Sequence, residues 1–244
     1  MSLAILGVIP ARLQSSRLPR KVLREIAGRP MIERVYERAR QSPHLTDVLV
    51  ATDSGEVMEA CRTRHIPAVL TSSEHPSGTD RVWEVAQGRA ADVYVNIQGD
   101  EPLVTPGHVE HLVRPFLDRP DTQVSTLCIR ATDAELRDVN VNKVVRDTMH
   151  GALYFSKYPI PYDRDGVQPV RYKHIGLYAY RAHALDAFHR LPPSPLEQSE
   201  RLEQLRFLEN GIPIVVIETD EPTIGVDTEA DLRAVEAWLA GHRA

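Results

Sequence analysis

The sequence predicts an α/β fold: one domain with a mixed, mostly parallel sheet, helices on both faces and an inserted subregion in the second half of the chain. Three observations carry that expectation. Runs of aliphatic and β-branched residues alternate with helical patterns through the first half, the order of βαβ units. The first run, residues 3–9, is nearly all apolar, as a strand covered on both faces of a parallel sheet must be. Polar clusters then follow the strands at Pro10, Thr52-Asp53, Thr71 and Gln98-Gly99-Asp100, the carboxyl ends where open parallel sheets bind ligands.

Taken in order, the first strand stops at Pro10 and runs into a polar loop. Residues 31–40 place Met31, Ile32, Val35, Tyr36 and Ala39 on one helical face, with Arg34, Glu37, Arg38 and Arg40 on the other. Strands at 47–51, 68–70 and 93–97 are separated by helices at 55–65 and 79–89. Strand patterns at 123–129, 143–146, 152–156 and 172–180 read as antiparallel or mixed. Residues 158–166 hold two prolines and a glycine, which excludes a regular element and leaves an ordered loop or lid. One long helix is expected over 196–209, introduced by prolines and ended by Asn210-Gly211. A last strand, 214–217, precedes a terminal helix after Asp227. No internal repeat or loose linker marks off an independent second domain.

A chain of 244 residues is long enough to bury roughly 70–75% of its unfolded surface without a disulfide or metal staple. Lys and Arg total 29 against 34 Asp and Glu, so the chain lacks the basic field that nucleic-acid binding requires. The longest apolar run falls far short of the roughly 18 residues of a membrane span, and no basic segment precedes it. The expectation is a cytoplasmic protein with no membrane insertion. Cys61 and Cys128 have no cysteine neighbours, so neither zinc spacing nor a redox pair is present; both read as small buried hydrophobes.

The loop after the first strand carries Arg12, Arg17, Arg20 and Lys21, a phosphate-sized concentration of charge. It lacks the glycines of a Walker loop, so side chains would have to hold the phosphates: forked Arg and mobile Lys. Read alone, it is more readily a solvated basic loop. Asp100 should project from a strand end, where a carboxylate suits Mg²⁺, an ion that takes one or two protein carboxylates and completes its shell with water and phosphate. Asp227, in Gly225-Val226-Asp227-Thr228, fits a second ligand or simply the N-cap of the last helix. Asp53 ends a strand in the same manner. Ser77, Gly78 and Thr79, followed by Arg81, would meet a base edge or a phosphate at a helix start, or merely cap it. His174 and Tyr178 share one face of a strand, and a lone histidine there is ordinarily a hydrogen-bonded structural one.

In order along the chain stand IPAR, then S-x-RLP-x-K, ATD, H-x-SGT-x-R, N-x-QGDEP, ALYFS, P-x-DRD, H-x-G-x-Y, SPLE, LEQLR and GVDT. This succession, which runs almost end to end, resembles the CMP-sugar synthetase family, and IPAR, QGDEP and LEQLR in that order are specific to it. The resemblance implies a mononucleotide-binding, Rossmann-like fold that transfers CMP from CTP to the anomeric hydroxyl of an acidic eight-carbon sugar, 3-deoxy-manno-octulosonate (Kdo), for lipopolysaccharide synthesis. Pyrophosphate would leave and Mg²⁺ would assist. It implies that Ala11, Arg12 and Lys21 hold the phosphates, with Ser15, Ser16 and Arg17 nearby and Pro10 also in the nucleotide site. Asp53, Ser77, Gly78, Thr79, Arg81 and Gln98 would complete the nucleotide site. Asp100 and Asp227 would bind the metal, with Arg12 and Lys21 sharing the catalytic role. Gln98, Arg164, His174, Tyr178, Glu203 and Gln204 would line the sugar pocket. Residues 1–130 would mainly bind CTP, 131–220 would bind sugar and form a homodimer, and 221–244 would return to the metal. Three positions depart from the family pattern: Arg20 where glycine is usual, Tyr162 where tryptophan is common, and Lys173 where arginine is. The last two leave open 8-amino-Kdo or a capsule-pathway Kdo enzyme; the nearest enzymatic rival is a cytidylyltransferase for an N-acylneuraminate, and a non-catalytic nucleotide-binding protein is the alternative from another class.

Overall fold

The computed structural model describes residues 3–15 and 17–242, so Ser16 lies outside the described residues. The chain divides into two compact units, Met1–Glu110 with Thr223–Ala244, and His111–Pro222.

The first unit opens with β1 (Ile5–Pro10), buried at every position. A small antiparallel pair follows, β2 (Glu25–Ile26) with β3 (Arg29–Pro30), and then α1 (Met31–Ala39). Next come β4 (Asp47–Thr52), α2 (Gly55–Arg62), β5 (Ala68–Leu70), α3 (Gly78–Gly88) and β6 (Val93–Asn96). The strands pair in parallel in the order β6-β1-β4-β5, which sets all their carboxyl ends on one edge. α1 buries Met31, Ile32, Val35, Tyr36 and Ala39, the five residues its periodicity selects. Each large apolar side chain so covered contributes about 1.5–3 kcal/mol. The chain leaves this unit within α4 (Pro106–Asp118), an element the pattern reading passes over.

In the second unit β7 (Val124–Arg130), β8 (Lys143–Arg146), β9 (Ala152–Ser156), β10 (Tyr172–Arg181) and β11 (Ile214–Glu218) form a mixed arrangement. β11 lies parallel to β7, while β10 is antiparallel to both β7 and β8, and β9 is antiparallel to β8. Short helices α5 (Asp133–Arg137) and α6 (Ala182–Arg190) escape the sequence reading.

The expected long helix over 196–209 is instead two, α7 (Pro195–Glu200) and α8 (Leu205–Glu209), and the turn between them passes through Arg201 at φ 55°. A continuous helix would hold Leu196 and Glu209 roughly 20 Å apart. Here the Leu196 amide donates to the Glu209 carboxylate at 3.0 Å. Arg206, 6% exposed, clasps Glu197 with bonds of 2.7 and 2.5 Å. That buried ion pair and the packing of Leu202 and Leu205 override strong helix formers, because burial outweighs the few tenths of a kcal/mol that propensity supplies. Residues 157–171 contain no helix or strand, as expected, and Asp163 orders them by accepting the Val167 and Gln168 amides at 2.9 and 3.0 Å.

The terminal helix α9 (Glu229–Gly241) returns to the first unit. Val226, Leu232 and Val235 pack in one cluster with Leu18, Ile26, Met31 and Leu103. The cluster ties the basic loop, through Leu18, to the segment preceding α9. Among the described residues no helix is long and apolar enough to cross a membrane. Both cysteines are buried, and burial pushes the Cys61 and Cys128 thiols up to about 11 and about 12.

Candidate functional site

At the carboxyl edge of the first unit lies a cavity of about 290 Å³. Its wall combines the basic loop (Arg12, Gln14, Ser15, Arg17, Lys21) with Gly78 from the start of α3, Gln98 to Asp100 beyond β6, and Asp227. Lys21 joins two carboxylates of this wall. Its ammonium donates to Asp100 Oδ2 at 2.6 Å and to Asp227 Oδ1 at 2.9 Å, although Asp227 lies 206 residues further along the chain. Burial acts to lower the Lys21 pKa, but attraction to Asp100 and then Asp227 outweighs it and the net direction is up. Arg17 pairs with the second oxygen of Asp227 at 3.0 Å. Asp227 is not the N-cap of α9. That place belongs to Thr228, which forms a capping box with Asp231. Relieved of capping, the Asp227 carboxylate faces the cations, held there by the bond from the Val226 amide to the Asp100 carbonyl at 2.9 Å.

Other elements of the site have constrained roles. A Cβ on Gly99 would lie 2.7 Å from the Pro10 carbonyl oxygen, so only glycine lets the ends of β1 and β6 approach this closely. A Gly99→Ala variant is expected to lose about 1–3 kcal/mol of stability, since backbone rather than a flexible side chain must yield. Urea unfolding checks this, and an unchanged midpoint would show that the strand ends can part without cost. Ala11 is fully buried and its amide donates to the Ala51 carbonyl at 2.9 Å, so it shapes the wall and its N–H is already engaged. Ser77 caps α3, accepting the Asp80 amide at 3.1 Å, and the helix starts at Gly78, earlier than Thr79. Thr79 is buried beside it. Arg81, 1% exposed, turns away from the cavity, pairing with Asp53 at 3.0 Å and with the Thr71 hydroxyl. Asp53 and Arg81 therefore brace the ends of β4 and α3. Gln98 donates to Asn96 Oδ1 at 3.1 Å, which fixes its amide.

Arg20 occupies the left-handed region at φ 57°, where an arginine is strained by about 1–2 kcal/mol and a glycine would not be. Its side chain leaves the cavity to pair with Glu56, so the extra charge of this loop is neutralised at the surface. Arg12, in contrast, is exposed and has no ion-pair partner among the described residues.

The remaining predicted residues belong to the second unit. His174 and Tyr178 come together on β10, with ring centroids 5.4 Å apart, and Glu203 lies near enough to act on the Tyr178 hydroxyl. Gln204 is buried with Nε2 unpartnered, whereas Arg164 is exposed on the 158–166 loop. Thr126, which the sequence reading omits, organises the group. Its hydroxyl donates to the Leu177 carbonyl at 2.8 Å and so accepts from His174 Nε2 at 2.9 Å, leaving Nδ1 a bare, buried acceptor. Nothing in the spacing of β7 singles out this threonine. Burial drives the His174 pKa down to about 3, so the folded ring is neutral. Its unfolded counterpart takes up a proton near pH 6.5, and stability is therefore lost as pH falls from that value towards 3. Relative to a His174→Gln variant, the wild type should lose about 2 kcal/mol between pH 7 and pH 5 in urea unfolding. Parallel pH profiles would show that the ring is not held neutral.

These features match a known group of proteins. Residues 6–219 fit the sequence profile described as cytidylyltransferase. A 3-deoxy-manno-octulosonate cytidylyltransferase of Acidobacterium capsulatum is 57% identical over 98% of this chain and 97% of its own. One from Escherichia coli is 46% identical over 98% and 97%. A solved structure of CMP:2-keto-3-deoxy-manno-octonic acid synthetase complexed with CTP superposes with a TM-score of 0.95 at 45% identity, covering 98% of this chain and all of the other. A thymidylyltransferase structure from Bacillus anthracis, 17% identical with a TM-score of 0.69, shares the fold. The expected α/β nucleotidyltransferase fold is thus the observed one, and the chain belongs to the cytidylyltransferase family.

Proposed function

We propose that this chain transfers CMP from CTP to the anomeric hydroxyl of 3-deoxy-manno-octulosonate and releases pyrophosphate. The observation that carries the reading is the convergence of Lys21, Asp100 and Asp227 in a cavity that Arg12 also lines, in a chain 57% identical to a cytidylyltransferase for that sugar.

In the reaction the sugar oxygen bonds to the α-phosphorus and the bond to the β-phosphate oxygen breaks, with charge growing on the departing pyrophosphate. Arg12 offers a forked donor to the phosphate oxygens and Lys21 a point charge on a flexible stem, both from the loop that lines the cavity. Ser15 lines the same wall. Gly78 and Gln98 line the same cavity and would meet the nucleoside, with Ser77 and Thr79 supporting them. Two carboxylates aimed at one cation, with phosphate to complete the shell, form the donor set that magnesium requires, so Asp100 and Asp227 would hold it. Bound there, magnesium would supply charge neutralisation for the triphosphate and acidify a coordinated hydroxyl. On the sugar side Arg164 would supply a cation for the acid, and His174, Tyr178, Glu203 and Gln204 polar groups.

A homodimer formed through the second unit belongs to the same reading. β9 pairs with β8 alone and exposes Leu153, and Met149, Tyr158, Tyr162 and Val167 are also more than half exposed. A second copy of the chain would cover this apolar surface. Light scattering should return twice the 27.4 kDa of one chain; a monomer at micromolar concentration would refute the dimer.

The test of function is pyrophosphate release with Mg²⁺, pairing each of four nucleoside triphosphates with Kdo, 8-amino-Kdo and N-acetylneuraminate. CTP with Kdo should be the best pair. A preference for another acid would place the error at the sugar pocket. No turnover with any pair would refute the enzymatic reading.

A further inference from the structure

We propose that Lys21 is an internal stand-in for the divalent cation: its ammonium occupies the position between Asp100 and Asp227, so metal binds there only when a triphosphate draws Lys21 away. The inference rests on the reading of Asp100 and Asp227 as metal ligands. Its basis is geometric. One ammonium touches an oxygen of each carboxylate, at 2.6 and 2.9 Å, and is only 13% exposed, so this is a filled position rather than a passing surface contact. The remaining oxygen of Asp227 is taken by Arg17 at 3.0 Å. Two like charges brought together need a cation between them, and a site that had to wait for metal would leave Asp100 and Asp227 repelling one another. Lys21 removes that repulsion in advance.

The consequence is coupling. A divalent ion approaching the free chain has to displace a bound ammonium and leave it without a counter-charge, which weakens binding. A triphosphate gives Lys21 an alternative anion at the end of a flexible four-carbon stem, and the vacated carboxylates then accept the metal. Nucleotide and metal each raise the affinity for the other, reciprocally as linkage demands. Arg12, which has no ion-pair partner among the described residues, does not take part in the exchange and would meet phosphate first.

Mn²⁺ binding, followed by its electron paramagnetic resonance signal, tests this without turnover. The wild-type chain alone should bind Mn²⁺ weakly, and a non-hydrolysable CTP analogue should tighten binding at least tenfold. Lys21→Met should bind Mn²⁺ at least tenfold more tightly than the wild type in the absence of nucleotide, and the analogue should add little. Melting gives a second readout: Lys21→Met should melt below the wild type and be restored by Mn²⁺, which should not move the wild type. If Lys21→Met binds Mn²⁺ alone no better than the wild type, while Asp100→Asn abolishes the nucleotide-dependent site, the stand-in role is overturned and the metal reading survives. If Asp100→Asn leaves that site intact, both fall.

Discussion

Replacing Asp100 with alanine is expected to lower turnover by about 10²–10⁴ while leaving the fold in place, a loss of roughly 3–5 kcal/mol of transition-state stabilisation. The Asp100 side chain is about one-third exposed and pairs with Lys21, so its removal opens no cavity in the core. The effect should fall on kcat more than on the KM for CTP, because charge on the leaving pyrophosphate develops only as the bond breaks. Pyrophosphate release at saturating CTP measures it, with circular dichroism as the control on folding. A variant within about threefold of the parent would remove Asp100 from the proposed metal site.

Lys143→Met should produce the largest loss of stability. Lys143 is fully buried, and its three ammonium protons go to the carbonyls of Asp138, Val141 and Lys157 at 2.6, 2.8 and 2.8 Å. Burial lowers its pKa, yet these carbonyls are its hydrogen-bond partners, drawn from the approach to β8 and from the end of β9. Methionine fills a similar volume and leaves three buried acceptors without a donor, each costing about 1–3 kcal/mol. A net destabilisation of about 3 kcal/mol corresponds to a fall in Tm of roughly 6–12 °C for a protein of this size. Thermal unfolding decides it; a wild-type Tm would mean that the carbonyls find other donors. Because Lys157 leads into the 158–166 loop, the variant should also expose that loop to proteolysis.

The first half of the chain was legible because its signals are local. The apolar run of β1, the amphipathic stripe of α1 and the turn chemistry between them each act within a few residues, and the structure keeps their boundaries nearly unchanged. Legibility failed where contacts distant in sequence outweigh propensity. The break between α7 and α8 comes from Glu209 reaching back to cap α7 and from Arg206 gripping Glu197, neither of which leaves a mark on periodicity. Lys143 reads as an ordinary polar residue in a strand until the carbonyl of Lys157 is brought over it.

The same division runs through the site. Residue type and order were enough to name the basic loop, Asp100, Asp227 and the family, because the chemistry of polyphosphate needs cations and metal-binding carboxylates at strand ends wherever they occur in a chain. Their assignments were another matter. Arg12, Arg20 and Arg81 are alike as letters, yet one lines the cavity with no ion pair among the described residues, one is tied to Glu56 and one is buried against Asp53. Asp227 reads equally as a cap or a ligand until Thr228 takes the cap and Val226, packed with Leu18, turns the carboxylate towards Lys21. A charge's role depends on which opposite charge lies within about 3 Å of it, and only the folded chain sets that distance across 206 residues.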